Sequence, residues 1–488
     1  MNYQTVIGLE VHVQLLTKSK MFCNCSAKYQ SKPTNSIVCP ICLGLPGSLP
    51  NINQMAINLG IKTSLALNCS VSSYTKFDRK NYSYPDLMKG YQISQFDMPL
   101  ASNGKVTILI NNEEYSIRIN RLHLEEDVAK LIHRNDKNNS YSLLDINRSG
   151  VPLMEIVTEP DIRSPEEARE YLIKLRSIIK YLGVGTGNME EGSFRCDANI
   201  SLKKISDKNL GTKVEIKNLN SLRSVYKSLK YEIERQSDCL NSDKEIIQET
   251  RGWLEDKNIT ISQRTKEYAS DYRYFPEPDL PLIKIDKNII ESIKKSIPEL
   301  PEEKSKRFQQ IYGISKYNSD LLVINKHNAD FFENTIASKP NSSNKFAKTV
   351  SNWMLGELNK LIKKHEIIIE HQKITPLNFK KLLDLIETGS INNASAKIIF
   401  EEMFLNGDNP EKIANNKNLI QTFNADDIEP IIKEILQENP KAISDFLTGN
   451  ENVVKFLLGQ VMKNTKGKAN PKVIEELLIN QLRELNNK

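Results

Sequence analysis

The chain has 488 residues, of which 39% are hydrophobic and 26% are charged, and its net charge of +6 permits a polyanionic partner without requiring one. This length allows roughly three domains of about 150 residues each, in a globular protein of ordinary composition. We expect neither a membrane protein nor a secreted one, because no apolar run approaches the roughly 18 residues of a membrane span and the first residues lack a basic signal-peptide region.

The first predicted element is a β-strand over residues 6–15. Apolar and polar residues alternate strictly along it, which is the period of a strand with one buried face. Its polar face carries Gly8, Glu10, His12 and Gln14. Glu10 and His12 therefore point the same way, either as two polar residues of a surface strand or as part of a metal or catalytic site.

Four cysteines follow this strand as two closely spaced pairs. The first pair is Cys23 and Cys25, the second pair is Cys39 and Cys42, and thirteen residues separate the two pairs. Two such pairs can supply the four thiolates of a tetrahedral structural zinc site, although the first pair is tighter than the common spacing. Seven cysteines in a chain without a signal peptide favour the reducing cytoplasm, so the alternative to zinc is unpaired thiols and not a disulfide scaffold.

The next two segments are a helix and a loop rich in tyrosine and lysine. Residues 52–67 predict a helix packed on a sheet. Residues 76–95 are too polar for a core and too rich in tyrosine for a linker. Aromatic rings interleaved with cations can stack on a nucleotide or on a single-stranded RNA end, and the alternative is a solvated loop with locally packed rings.

Three later segments repeat the alternation of the first strand. Residues 117–128, 194–202 and 213–217 each present one polar face. Those faces carry Arg121, His123, Glu125 and Asp127 in the first, Arg195, Asp197, Asn199 and Ser201 in the second, and Lys213, Glu215 and Lys217 in the third. If the four strands share one antiparallel sheet, its apolar face packs on helices and its open face gathers carboxylates, imidazoles and cations, which suits Mg²⁺ and phosphate.

Two helices are predicted among these strands, and further helices follow them. Ser164 and Pro165 begin one helix that ends at Gly183, and Ser221 caps another. Beyond residue 290 strand alternation gives way to helical periodicity. Turn residues place the domain boundaries near residues 290 and 408, which predicts three domains over residues 1–290, 291–408 and 409–488.

Several segments resemble the B subunit (GatB) of the bacterial tRNA-dependent glutamyl/aspartyl amidotransferase family. They are Gly8-Leu9-Glu10-Val11-His12, Cys39-Pro40-Ile41-Cys42-Leu43-Gly44, Phe77-Asp78-Arg79-Lys80-Asn81-Tyr82, Gly90-Tyr91-Gln92-Ile93-Ser94-Gln95, Met189-Glu190-Glu191-Gly192-Ser193, Arg195-Cys196-Asp197-Ala198-Asn199, Glu215-Ile216-Lys217-Asn218-Leu219-Asn220 and Asp271-Tyr272-Arg273-Tyr274-Phe275-Pro276-Glu277-Pro278-Asp279. The chain departs from the family pattern at Gln263, where Met is common, and at Ser270, where His is usual.

The resemblance implies an α+β fold. A large, mostly antiparallel sheet would form a catalytic cradle similar to that of glutamine synthetase over residues 1–290. An all-α helical domain would follow over residues 291–408, and a small YqeY-like tail that binds tRNA over residues 409–488.

The resemblance also implies a carbon–nitrogen ligase of protein biosynthesis. ATP would phosphorylate the side-chain carboxylate of glutamate on tRNA(Gln), or of aspartate on tRNA(Asn), and ammonia would then give the amide. The ammonia would come from glutamine hydrolysed by an amidase (A) subunit, a glutaminase, in a cytoplasmic heterotrimer with a small (C) subunit. Which misacylated tRNA is the substrate does not follow from the sequence.

Site residues follow from the resemblance and the polar faces together. The expected Mg²⁺ ligands are Glu10, His12, Glu125 and Glu190, although His12 suits Mn²⁺ or Zn²⁺ better than Mg²⁺. The residues expected to contact ATP or the transferred phosphate are Lys80, Arg195, Lys217 and Asn199, with Glu125, Arg195, Lys80 and Lys217 as the catalytic set. The residues expected along an ammonia path are Tyr82, Lys89 and Glu125.

Three lysines in the tail have two interpretations. Lys463, Lys466 and Lys468 precede the start of the last predicted helix, where they are either a solvated turn or a contact for the tRNA backbone.

Two rival functions remain at this stage. A nucleic-acid-binding module without catalysis would explain the cysteine pairs and the tyrosine-rich segment, but not the polar sheet face. An ATP-dependent ligase for a free small acid would explain that face, but not the tail.

Overall fold

The structure is a computed structural model of the chain. It describes residues 3–136, 139–265, 272–340, 343–367, 369–420, 425–448, 450, 452–465, 469 and 471–486. The chain separates into two compact units, residues 1–300 and 301–488. The first unit is built around a large sheet and the second from helices, so the predicted α+β class is confirmed. The division into three domains stays a prediction.

Sixteen strands are described in the first unit. In chain order they are β1 (Tyr3–Gln14), β2 (Ser70–Val71), β3 (Tyr74–Thr75), β4 (Asp78–Asn81), β5 (Tyr91–Ser94), β6 (Ala101–Ile110), β7 (Glu113–Glu126), β8 (Lys130–Asp136), β9 (Asn139–Asp145), β10 (Pro152–Thr158), β11 (Phe194–Lys204), β12 (Val214–Leu219), β13 (Glu249–Leu254), β14 (Ile259–Thr265), β15 (Phe275–Pro276) and β16 (Ile283–Lys284).

Nine of these strands form one sheet in the order β14-β13-β12-β11-β1-β10-β7-β6-β2. The neighbours are antiparallel except for the parallel pair β12–β13. The four alternating segments of the sequence become β1, β7, β11 and β12, which confirms that they share a sheet. A strand that the sequence pattern does not predict, β10, lies between β1 and β7. Nearly all of its residues are buried on both faces, so its sequence shows no alternation.

Five α-helices lie among the described residues of the first unit: α1 (Pro40–Leu43), α2 (Gln54–Ala66), α3 (Pro165–Leu182), α4 (Leu222–Asn241) and α5 (Lys287–Lys295). The predicted start of α3 is confirmed, because the Ser164 hydroxyl accepts a hydrogen bond from the Glu167 N–H at 3.1 Å. Gly183 ends α3 in the left-handed conformation at φ 66°. Ser221 caps α4 in the same way as Ser164 caps α3.

The apolar face of the sheet packs on these helices. Buried residues of β1 share one core with the apolar stripe of α3, as predicted. They are Ile7, Leu9, Val11 and Val13 from the strand, and Ala168, Leu172, Leu175 and Ile179 from the helix. The polar side chains of β1 are thereby left on the opposite face.

The tyrosine-rich segment is not a solvated loop, because β4 and β5 pair as an antiparallel hairpin that β15 extends. Phe77, Asp78 and Ser94 are buried in this hairpin. The Ser94 hydroxyl donates a hydrogen bond to Glu125 Oε2 at 3.2 Å, so the hairpin meets the polar face at β7. Two two-stranded sheets, β3–β16 and β8–β9, complete the unit.

The second unit is helical throughout its described residues. Its helices are α6 (Pro301–Tyr312), α7 (Lys316–Val323), α8 (Lys326–Ala337), α9 (Asn344–Trp353), α10 (Asn359–His365), α11 (Pro376–Glu387), α12 (Asn393–Asn406), α13 (Pro410–Asn416), α14 (Ala425–Glu438), α15 (Pro440–Leu447), α16 (Val453–Asn464) and α17 (Pro471–Asn486). A π-helical turn, Met354–Leu358, joins α9 to α10. The last four helices share an apolar core of their own. None of the helices described here is both long and apolar enough to cross a bilayer.

Candidate active site

Strand register aligns four charged side chains in one row across the sheet. His12 of β1 lies opposite Arg195 of β11 on one side and opposite Glu155 of β10 on the other. Glu155 in turn lies opposite His123 of β7. Because opposed residues of paired strands point to the same face, the sheet itself brings these groups together.

His12, Glu125 and Glu155 form a group that could hold a metal ion, which we call the His12 cluster. One ligand atom from each lies within 4.8 Å of the others. His12 Nε2 is 3.4 Å from Glu155 Oε2 and 3.7 Å from Glu125 Oε1. One imidazole nitrogen and two carboxylate oxygens suit a divalent cation whose other ligands are water or phosphate oxygens.

His123 completes the charge balance of the cluster. Its Nε2 atom is 2.9 Å from Glu155 Oε2. Burial alone would raise the pKa of Glu155, but the charges of His123 and His12 hold it well below its usual value. Burial alone would lower the pKa of His123, but Glu155 and Glu125 raise it to about 9. Ionised Glu155 therefore faces a protonated His123 at neutral pH.

The raised pKa of His123 predicts a pH dependence of stability. A group whose pKa is higher in the folded state stabilises that state fully below its unfolded pKa, here 6.5, and loses this contribution as the pH rises through about 9. In buffer free of divalent cations, we expect the free energy of unfolding of the unmodified protein to fall, relative to that of His123→Gln, between these pH values. Urea denaturation across the range measures it.

The matched control for this prediction is His133→Gln, because His133 is an exposed imidazole on β8. It should follow the unmodified protein at every pH. Identical pH profiles for His123→Gln and the unmodified protein would show that His123 is not held protonated by Glu155.

Glu10 and Glu190, two of the expected metal ligands, are not brought into the His12 cluster. Glu10 lies one strand repeat from His12, about 7 Å along β1. Its Oε1 atom accepts a hydrogen bond from Asn199 Nδ2 at 2.8 Å. Glu190 is exposed in the turn before β11. The third member of the cluster is Glu155, which was not among the expected ligands.

Alternation of polar and apolar residues does not predict Glu155, because β10 is buried on both faces. A different signal was present: Glu155 is the single charged residue of the apolar run 151–157. A carboxylate is rarely buried without a partner, so an acid in such a run marks either a buried pair or a site.

Two of the residues expected to contact phosphate, Arg195 and Lys217, already form ion pairs with carboxylates. Arg195 Nη2 is 2.7 Å from Asp127 Oδ2, and Lys217 Nζ is 3.0 Å from Asp197 Oδ2. Each of these cations is therefore held by a carboxylate. The Nε atom of Arg195 is buried without a hydrogen-bond partner among the described residues.

Lys80 differs from the other two cations. Its ammonium makes no ion pair with any carboxylate in the described ranges, and it lies 4.9 Å from the ring centroid of Tyr272 and 5.7 Å from that of Tyr82. Burial alone would lower the pKa of Lys80, but Glu125 and other nearby negative groups raise it. The β4–β5 hairpin thus supplies the His12 cluster with a protonated amine that is not neutralised by direct contact.

The residues expected along an ammonia path are only partly brought together. Tyr82 packs edge-on against Tyr272 beside Lys80, and burial raises the pKa of Tyr82 to about 12. Lys89 pairs with the buried Glu126 and not with Glu125. Among the described residues, no direct contact therefore joins Lys89 to Glu125 along an ammonia path.

The four cysteines of the predicted zinc site converge. Their sulfur atoms all lie within 4.8 Å of one another, and none is in a disulfide. Cys39 and Cys42 sulfurs are 3.8 Å apart, which is about the edge of a tetrahedron with Zn–S bonds of about 2.3 Å. The group fits a structural zinc ion.

A buried lysine accompanies the sulfurs. Lys20 is fully buried, and its Nζ atom lies 2.9 Å from the Ile37 carbonyl oxygen and 3.7 Å from Cys42 Sγ. A hydrogen bond from Cys23 lowers the pKa of Cys42 to about 4, to which the charge of Lys20 contributes. A positive charge at this point offsets the negative charge that four thiolates would gather.

The tail lysines are described only in part. Lys463 is exposed in the last turn of α16. Lys466, Lys468 and Ser270 lie outside the described residues. Gln263, the other departure from the family pattern, is exposed on β14.

Comparison with known proteins gives matches to family models and to relatives over nearly the full length of the chain. Residues 5–291 match a family model described as the GatB/GatE catalytic domain, and residues 330–482 match one described as a GatB domain. The chain is 51% identical over 489 residues to the B subunit of the aspartyl/glutamyl-tRNA(Asn/Gln) amidotransferase of Dehalococcoides mccartyi, with 99% of each chain covered. It is 48% identical to the protein of the same name from Carboxydothermus hydrogenoformans, again with 99% of each covered.

The first of these matches covers more than half of the chain, and it contains both the His12 cluster and the four cysteines. The matched relatives extend over nearly the full length of the chain. The chain therefore belongs to the GatB/GatE family.

Proposed function

We propose that this chain is the B subunit of a tRNA-dependent amidotransferase and carries its ATP-dependent amidation site. The names of its relatives support the substrate class, which is glutamate or aspartate attached to tRNA(Gln) or tRNA(Asn). The observation that carries the proposal is the His12 cluster with Lys80 beside it. Two ionised carboxylates, an imidazole and a cation without an ion-pair partner are the groups that phosphoryl transfer from ATP requires.

The reaction has two steps that balance. The side-chain carboxylate oxygen takes the terminal phosphoryl group of ATP, which leaves as ADP. Ammonia then attacks the carbonyl carbon and expels inorganic phosphate, which gives the amide. The first step is needed because a carboxylate is a poor electrophile and a phosphate is a good leaving group.

The residues of this chain act by positioning and by charge. His12, Glu125 and Glu155 would hold a divalent cation, and Mg²⁺ in such a place neutralises phosphate oxygens. Lys80 has no carboxylate to release before it can contact an anion, so we assign it to the transferred phosphoryl group. Arg195 and Lys217 can contact the phosphoryl group only while they also contact the carboxylates that hold them. Asn199 can do so only while its amide also contacts Glu10.

The source of ammonia would be a partner. We assign glutamine hydrolysis to an amidase (A) subunit, in a cytoplasmic heterotrimer with a small (C) subunit. We assign Glu125 and Tyr82 to the path of ammonia, on which Lys89 would act through Glu126. Zinc at the four cysteines would be structural, because a closed tetrahedral site leaves no open position for chemistry. The tail lysines would contact the tRNA backbone.

The function is tested by amide formation in the assembled complex. With ATP, Mg²⁺ and saturating ammonium, we expect amide from Glu-tRNA(Gln) or Asp-tRNA(Asn), or from both, and none from free glutamate or aspartate. Product analysis after hydrolysis of the ester bond measures the amide. Equal amidation of free glutamate would favour the small-acid ligase, and amidation without ATP would remove the phosphorylation step.

A further inference from the structure

Four aromatic rings of the first unit lie in a row, which we call the aromatic row: Tyr82, Tyr272, Tyr274 and Phe96. Tyr82 packs edge-on against Tyr272 with ring centroids 5.7 Å apart, and Tyr272 packs edge-on against Tyr274 at 6.0 Å. Tyr274 and Phe96 stack face to face, with centroids 4.2 Å apart and an interplanar angle of 6°. The rings come from three separate segments of the chain, so tertiary folding builds the row.

The inner end of the aromatic row lies at the His12 cluster. The ammonium of Lys80 lies over the rings of Tyr82 and Tyr272. Burial raises the pKa of Tyr274, and two charged groups also act on its hydroxyl: Lys80 lowers this pKa and Glu125 raises it. A ligand that lies along the row therefore reaches the groups that we assign to phosphoryl transfer.

The outer end of the row is Phe96, which is 58% exposed although one face of its ring lies on Tyr274. A single exposed phenylalanine needs no explanation in itself, but this one is held in place. Its N–H donates a hydrogen bond to the buried Asp78 Oδ2 at 3.0 Å. The preceding residue, Gln95, is buried and accepts a hydrogen bond from the Leu124 N–H at 3.0 Å. The second face of the ring is therefore open and preorganised for a ligand.

The position of Phe96 indicates which ligand this is. Ser94 contacts Glu125, and Phe96 follows two residues later, which is at most about 7 Å of chain. Both substrates of the proposed reaction carry an adenine, in ATP and in the terminal adenosine of tRNA to which the amino acid is attached. In each, a ribose separates the base from the reacting atoms, so the base lies outside the His12 cluster while those atoms lie in it. Proteins commonly hold an unpaired base by stacking it on an aromatic ring.

We propose that the open face of Phe96 stacks on the adenine ring of a substrate, which extends the aromatic row by one ring. Tyr274 supports Phe96 from its other face. The adenine belongs either to ATP or to the terminal adenosine of the charged tRNA, and the stacking chemistry is the same for both. This inference rests on the proposed function, from which it takes the two substrates, and it adds the residue that positions the base.

Phe96→Leu keeps an apolar side chain but removes the aromatic face. In the assembled complex, we expect it to raise the KM of one substrate at least about fivefold and to leave kcat at saturation unchanged, because the ring binds the base and lies outside the cluster. A raised KM for ATP assigns Phe96 to the nucleotide, and a raised KM for charged tRNA assigns it to the tRNA end. Steady-state amide formation, with one substrate varied and the other saturating, measures the two constants.

The fluorescent adenine isomer 2-aminopurine gives a readout that does not depend on activity, because its emission falls when it stacks on a ring. It is placed at the end of tRNA in one experiment and in a nucleoside triphosphate in another. The unmodified complex should quench the emission of one of these probes, and Phe96→Leu should quench it less. Phe96→Tyr should restore both the KM and the quenching, because it keeps the ring.

The matched control is Tyr115→Leu. Tyr115 is an exposed ring on β7, ten residues before Glu125 and so about 33 Å away along the strand. This variant also replaces an exposed ring by leucine in the first unit. It should leave both KM values and the quenching unchanged.

The outcomes separate this inference from the proposed function. If the unmodified complex amidates charged tRNA, but Phe96→Leu changes neither KM nor the quenching, Phe96 does not stack on a substrate base. If Phe96→Leu instead lowers the melting temperature or weakens assembly of the complex while both KM values stay unchanged, the ring is structural or contacts a protein, and the inference is wrong. Failure of the unmodified complex to amidate any charged tRNA would overturn the proposed function itself.

Discussion

Glu155→Gln is expected to lower kcat for ATP-dependent amide formation by at least about a hundredfold, even with saturating ammonium. Glu155 lies 3.4 Å from His12 and 2.9 Å from His123, so it balances both imidazoles and would carry charge opposite a bound cation. The amide has the same size but no charge. Glu125→Gln should have an effect of similar size, because its carboxylate belongs to the same cluster.

The matched control for both changes is Glu114→Gln, because Glu114 is an exposed carboxylate on β7, the strand that carries Glu125. It should retain the unmodified rate. Glutamine hydrolysis by the proposed amidase partner should persist in all three variants, which separates loss of the amidation site from loss of the complex. An unmodified amidation rate in Glu155→Gln would remove Glu155 from the site.

Cys39→Ser is expected to remove zinc and to lower the stability of the first unit. Binding of structural zinc by four thiolates is worth about 10–16 kcal/mol in small zinc-binding peptides, so weakening the site should cost several kcal/mol of folding free energy. We expect about one zinc per chain in the unmodified protein and much less in the variant, with a melting temperature lower by about 5 °C or more. Atomic absorption and thermal denaturation measure the two quantities.

The control is Cys239→Ser, a half-buried cysteine on α4 far along the chain from the four sulfurs. It should keep both the zinc and the melting temperature. Lys20→Met should also weaken zinc retention against a chelator, because it removes the positive charge beside Cys42. The structural role of zinc would be contradicted if the unmodified protein contained no zinc and Cys39→Ser did not lower its melting temperature.

Local patterns were sufficient for the strands that have one polar face. The alternation through Glu10 and His12 predicted β1, and the same pattern predicted β7 with His123 and Glu125, because water or a site on one side imposes the period of two. The cysteine spacing also predicted that the four sulfurs converge, since the two members of each pair are close in sequence. β10 could not be predicted in this way, because a strand that is buried on both faces shows no alternation of polar and apolar residues.

Pairing between distant residues could not be predicted in the same way. Arg195 looked available for phosphate, but Asp127, 68 positions away, holds it. Lys80 looked equivalent to Arg195 and Lys217, but the hairpin fold places it on aromatic rings without a direct counter-charge. Such differences depend on tertiary contacts, which single-sequence periodicity does not contain.

The place of β1 in the middle of the sheet has a consequence for synthesis on the ribosome. Its two neighbours are β10 and β11, and Tyr3 pairs in register with Lys204, so the first strand to be made waits for roughly 200 residues before its second edge is covered. At about 5–20 residues per second this wait lasts roughly 10 to 40 seconds. Throughout it, at least one edge of this strand is open and exposed to wrong pairing. Slower translation before residue 204 would lengthen that exposure, and a nascent chain cut short before β11 could not assemble His12 with Arg195 at all.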